Sequence, residues 1–159
     1  MKARTNEKTG HIRFSEHNIT LVAKMLDKLS STIDIMYFLM ERREERGFVA
    51  MLISAKGIDD MEGLIRQQKR ETDILFEIDP DNNLYALVCQ DTKIDGGYHF
   101  AERLMKKSME EGGSEVYCTE LEVRSTSYKI RYIIYRLMEL FIETKEKEQA
   151  GEVVFKALN

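Results

Sequence analysis

The chain has 159 residues, 43% of them hydrophobic and 33% charged, with a formal net charge of −4. That is the balance of a soluble globular domain able to bury its own core without disulfide or metal staples. The negative charge excludes a broad nucleic-acid footprint, so neither DNA nor RNA is an expected partner. No apolar run approaches the ~20 residues of a membrane span.

We read no secretory signal, and Cys89 and Cys118 both fall in apolar stretches. The expectation is a cytoplasmic protein with two reduced core thiols. The first ten residues, MKARTNEKTG, are polar and expected to fray. RFSEHN then opens a helix expected over 16–46, with Ser15 as cap and Phe14 placed to staple onto Ile19. Val22, Leu26, Leu29, Ile33, Met36 and Met40 alternate four and three residues apart, a heptad seam. Such a helix pairs either with a second copy of itself or with its own domain, and both readings stay open. The charged ERREER and Gly47 mark its end.

From Gly47 the pattern changes, and we divide the chain into a tail and linker helix, 1–46, and a domain, 47–159. FVAMLIS (48–54) is a buried-strand run, and IDDMEGLIRQQKR (58–70) is a short helix with acids at its start and bases at its end. DILFEI (73–78) and LYALVCQ (84–90) flank DPDNN, a polar turn, and read as a β-hairpin. IDGGYHFAERLMKKSMEE (94–111) is helical with Phe100, Ala101, Leu104 and Met105 inward. SEVYCTELEV (114–123) is a strand, SYKIRYIIYRLMELFIETKEKE (127–148) is an amphipathic helix, and EVVFKAL (152–158) closes with a strand. The order β-α-β-β-α-β-α-β specifies an α/β fold, an α+β sandwich with a mixed sheet, a central hairpin and flanking helices. Tyr128, Tyr132 and Tyr135 read as core and rim packing. His11, His17 and His99 are scattered, with no triad or metal constellation.

At the hairpin the sequence resembles the second half of a GGDEF domain. The matching features are Arg70-Glu71-Thr72-Asp73 as an R-x-x-D turn, the strand ILFEI, the hairpin, a strand ending in Asp91-Thr92, and Ala101-Glu102-Arg103 on the following helix. The resemblance spans roughly 48–158 and implies a nucleotide-cyclase-like fold. In the family the GGDEF signature occupies the hairpin tip, which here is DPDNN (79–83). DGGYHF (95–100) resembles the signature only out of order and lies at a helix start, where Gly96 and Gly97 read as permissive backbone.

Active family members place one metal carboxylate after the first strand and another in the hairpin. Here Ser54-Ala55-Lys56 follows the first strand, and a lysine repels divalent metal. The D-x-L-T-G-L-x-N-R entry motif is absent, as is the segment that carries the family's base-recognising asparagine and aspartate. The resemblance therefore implies a degenerate domain with no cyclase activity, no metal and no cofactor.

It also implies a retained inhibitory-type site for cyclic-di-GMP at Arg70, Asp73 and Arg103, with Arg66 a weaker candidate. Arginine forks read the O6 and N7 edge of guanine, and the carboxylate of Asp73 would accept from its N1 and N2 donors. The stretch 11–46 is similar to the last helix of a GAF domain running into a linker, which together with the R-x-x-D resembles the PelD-like class of cyclic-di-GMP receptors. That class implies regulation of exopolysaccharide production through a protein partner, with inner-membrane attachment through upstream segments. A dimerisation or docking module without nucleotide, and a residual cyclase, are the alternatives.

Overall fold

The computed structural model describes residues 13–158; the polar N-terminal decapeptide and His11 lie outside them. Helix α1 runs Glu16–Glu41, followed by β1 (Phe48–Lys56), α2 (Met61–Gln68), β2 (Asp73–Asp79), β3 (Leu84–Gln90), α3 (Ile94–Glu110), β4 (Ser114–Val123), α4 (Ile130–Glu146) and β5 (Val153–Leu158). The strands form one mixed sheet in the order β2-β3-β1-β4-β5. All neighbours are antiparallel except β4 and β5, whose parallel pairing needs the α4 crossover.

Strand β1 lies at the centre and is buried on both sides, which is why FVAMLIS lacks polar alternation. Its residues divide by parity. Phe48, Ala50 and Leu52 join α1 and α4 in one core, while Val49, Met51 and Ile53 join α2 and α3 in the other. The result is a three-layer sandwich. Both cysteines are free and buried, as their apolar surroundings predict.

The seam of α1 is occupied by its own domain. Leu21, Val22, Met25, Leu29, Ile33 and Met36 are buried in the core shared with the sheet and α4, while Leu26 and Met40 sit half-buried at its margin. The sequence period was narrower than the real face, because a helix on a sheet buries a broader stripe than a coiled-coil seam. Ser15 caps the helix, accepting a hydrogen bond from Asn18 N at 3.1 Å. Phe14 packs on the core, and Ile19 stays exposed.

The helix stops five residues short of the expected Arg46. Arg43 takes a left-handed φ of 62°, its N–H donating to Met40 O and that of Glu44 to Leu39 O. This is the Schellman closure usually made by glycine, here built by an arginine that propensity alone does not flag. The other helices also come out shorter than expected, at Met61–Gln68, Ile94–Glu110 and Ile130–Glu146. Asp60 caps α2 through Gly63 N at 2.9 Å, and α4 begins only at Ile130. The hairpin tip is a 3-10 turn over Pro80–Asn82, closed by left-handed Asn83. Lys24 and Lys28 of α1 donate to Ile78 O (3.4 Å) and Glu77 O (2.6 Å), covering carbonyls of the edge strand β2.

Candidate functional site

Strand register places two clefts at opposite ends of the sheet. The first contains the start of β2, the end of β3 and the first three turns of α3. Asp73 pairs with Cys89 across the hairpin, so the R-x-x-D turn is held against the β3–α3 loop. A cleft of about 170 Å³ opens there, lined by Arg70, Asp73, Cys89, Thr92, Phe100 and Arg103 among others. All three predicted site residues meet in it.

Their roles differ from the sequence reading in one respect. Asp73 is buried at 3% exposure, and both of its oxygens are engaged by Arg70. Its Oδ2 accepts from Arg70 N at 2.8 Å, and its Oδ1 from Arg70 Nε at 3.1 Å and Nη2 at 2.7 Å. In this arrangement the carboxylate holds the arginine in place. Arg70 is half exposed, and the hydrogen bond to Asp73 pushes its guanidinium pKa further up. Its Nη2 also donates to Gln90 O at 2.9 Å and Thr92 Oγ1 at 2.6 Å. Arg103, on α3, donates to Gln68 O at 3.4 Å with its guanidinium 5.3 Å from the Phe100 ring centroid. Arg66 pairs with Glu62 at 2.9 Å and does not line this cleft.

Sequence reasoning missed Thr92, Phe100 and Cys89 as cleft residues. Thr92 was visible only as the end of a strand, and Phe100 only as an inward helix position. Cys89 could have been found from the hairpin register, which sets it opposite Asp73. Burial, then the nearby Asp73 and Glu120 charges, push its thiol well above the usual range, so it stays protonated.

The second cleft, of about 590 Å³, lies at the other end, between the hairpin tip, the end of β1 and the helix ends of α1 and α4. Lys56 enters it paired with Glu115 at 3.1 Å. Asp79 Oδ2 accepts from Asn82 Nδ2 at 2.8 Å and lies 3.5 Å from His17 Nε2, so it fastens the turn to α1. Among the described residues, no group of three or more His, Cys, Asp or Glu side chains is placed to hold a metal ion. No helix among them is long and apolar enough to cross a membrane.

The chain matches no protein-family profile and no curated protein sequence. Its fold is that of solved GGDEF domains. It superposes with a TM-score of 0.61 on the active GGEEF domain of a diguanylate cyclase from Vibrio cholerae, at 12% identity over 79% of this chain and 92% of that one. The FimX GGDEF domain of Pseudomonas aeruginosa gives 0.57 at 14% identity, over 80% and 92% of the two chains. The P. aeruginosa diguanylate cyclase SiaD, solved with its activator SiaC, gives 0.58 at 12%, covering 80% of this chain and 57% of that one.

Proposed function

We propose that this chain is a non-catalytic receptor domain that binds cyclic-di-GMP at the Arg70–Asp73–Arg103 cleft. The observation that carries the reading is Arg70 itself: a half-exposed guanidinium, aligned by a buried carboxylate, at a cleft lined by Phe100 and a second guanidinium. Two cations suit a dianionic dinucleotide, and their planar faces stack on purines. At about 170 Å³ the cleft is smaller than the ~300 Å³ at which whole-ligand pockets begin. It would take one base and leave the rest of the ligand on the exposed rim. Proteins of the same fold are named as diguanylate cyclases, which makes this ligand the natural one to test. Asp73 acts as the holder of Arg70.

The non-catalytic part of the proposal rests on the second cleft. Lys56 stands at the end of β1, tied to Glu115, and Asp79 is engaged in the turn. The output, regulation of exopolysaccharide production through a protein partner, rests on the PelD-like resemblance of the sequence.

The test is calorimetric titration of the chain with cyclic-di-GMP beside Arg70→Ala and Arg103→Ala. Micromolar binding lost in both variants supports the receptor. Turnover of GTP with magnesium would restore the cyclase alternative. A folded chain that gives no heat favours the competing reading, an interaction module. One observation supports that reading: Ile35 and Phe38, at 55% and 54% exposure, stand on the outer side of α1.

A further inference from the structure

The cleft is joined to the linker between α1 and β1 by a short run of hydrogen bonds. On one side of the β3–α3 loop, Thr92 Oγ1 accepts from Arg70 Nη2 and donates to Gln90 O at 2.7 Å. On the other side, the neighbouring Asp91 N–H donates to Glu45 Oε1 at 3.1 Å, and Asp91 Oδ1 accepts from Arg46 N at 3.4 Å. Asp91 itself has a φ of 46°, a left-handed conformation that an L-residue keeps only when its surroundings hold it there. One residue therefore separates the candidate ligand site from the linker that follows α1.

We infer that this loop is a clasp: a ligand that takes Arg70 releases Thr92, and with it the Asp91 contacts that fix residues 45 and 46. The inference rests on the reading of Arg70 as a ligand-binding group. Its physical basis is the donor inventory of arginine. Reading a base edge through two parallel N–H bonds requires either the Nε–Nη2 fork or the Nη1–Nη2 fork. Asp73 holds the first. The second shares Nη2, whose remaining proton faces Gln90 O and Thr92 Oγ1. A bidentate ligand thus competes with the loop for one proton. Thr92 is then a positioning residue that lowers affinity in the free protein, and the linker reports occupancy. Binding energy can shift the clasp only to the extent that the open form binds better.

The experiment is amide hydrogen exchange by NMR on the whole chain, read at Asp91 N–H and Arg46 N–H. In the absence of ligand, Thr92→Val and Arg70→Ala each speed exchange at both amides by about tenfold, the scale of one lost hydrogen bond. Exchange at Met51, in the centre of the sheet, stays unchanged. Cyclic-di-GMP produces the same acceleration in the unmodified chain. Glu45→Ala exchanges rapidly at Asp91 from the start and binds the ligand no more weakly than the unmodified chain. Thr92→Val folds without the loss of any Asp73 contact, so it keeps the test valid if Arg70→Ala does not fold. Unchanged exchange at both amides in Thr92→Val overturns the clasp. Faster exchange in the variants with no heat on adding cyclic-di-GMP upholds the clasp and removes the ligand reading alone.

Discussion

The carboxyl of Glu120 lies directly under the backbone of Gly97. A β-carbon at that glycine would come within 3.1 Å of Glu120 Oε2 and 3.1 Å of a Val49 methyl. Glu120 projects from β4 into the core below α3, has no accessible surface, and neither of its oxygens has a hydrogen-bond partner among the described residues. Burial pushes its pKa from an ordinary 4.5 up to about 8. The folded protein holds this proton over a range in which the unfolded chain releases it. Its stabilising effect is therefore complete below about pH 4.5 and declines as pH rises toward 8. Glu120→Gln, which carries no titrating group, should lose less stability across that window, with a difference on the order of a few kcal/mol by pH 9. Thermal melts from pH 5 to pH 9 decide it; parallel slopes would show that Glu120 is ionised in the fold.

The two glycines of α3 should respond in opposite directions. Gly96 has only Thr92 Cγ2 near a prospective β-carbon, at an ordinary 3.5 Å. Gly96→Ala should therefore gain helix propensity of roughly 0.5–1 kcal/mol. Gly97→Ala meets Glu120 and Val49 and should lose about 1 kcal/mol net, since a packed core yields reluctantly. Urea melts of the two variants measure the signs. A stabilised Gly97→Ala would mean that the core under α3 is loose.

Asp73→Asn should separate holding from contact. The amide keeps one acceptor for Arg70 but loses the charge and the two-oxygen grip seen here. The fold should survive with a loss of about 1–3 kcal/mol, and affinity for cyclic-di-GMP should fall less than in Arg70→Ala. Calorimetry and melts on the same samples test this. An affinity loss equal to that of Arg70→Ala would mean that Asp73 touches the ligand.

Along α1 the core and the outer face should part cleanly. Leu29→Ala removes a fully buried side chain and should cost about 2–5 kcal/mol. Phe38→Ser, at a side chain 54% exposed, should change stability by less than about 0.5 kcal/mol in a monomer. Sedimentation run beside the melts tests the alternative directly. A dimer that dissociates in Phe38→Ser would make this face an interface.

How much of this was legible in the sequence depended on how local the cause was. The ends of β3 and β4 were readable to the residue, because turn chemistry and apolar runs bound them on both sides. The extent of α1 was not, since a Schellman turn on Arg43 looks like continued helix when only charge and propensity are considered. The meeting of Arg70, Asp73 and Arg103 was anticipated from motif order. That Asp73 is enclosed was not, because its burial accompanies its pairing with Cys89 across the hairpin, which a short motif does not encode. Glu120 escaped notice for a related reason: in SEVYCTELEV it alternates with apolar residues as a solvent-facing strand residue would, and only the second helical layer puts that face indoors.

The central position of β1 has a consequence for synthesis on the ribosome. Both partners of this strand, β3 and β4, lie after it in the chain, so it leaves the exit tunnel with neither edge satisfied. Its run of buried apolar residues must wait, first for the hairpin strand and then for β4. During translation FVAMLIS is thus the segment a nascent-chain chaperone would grip. Slowing elongation between β1 and β4 should lengthen that exposure and lower the soluble yield, while leaving the stability of the finished protein unchanged.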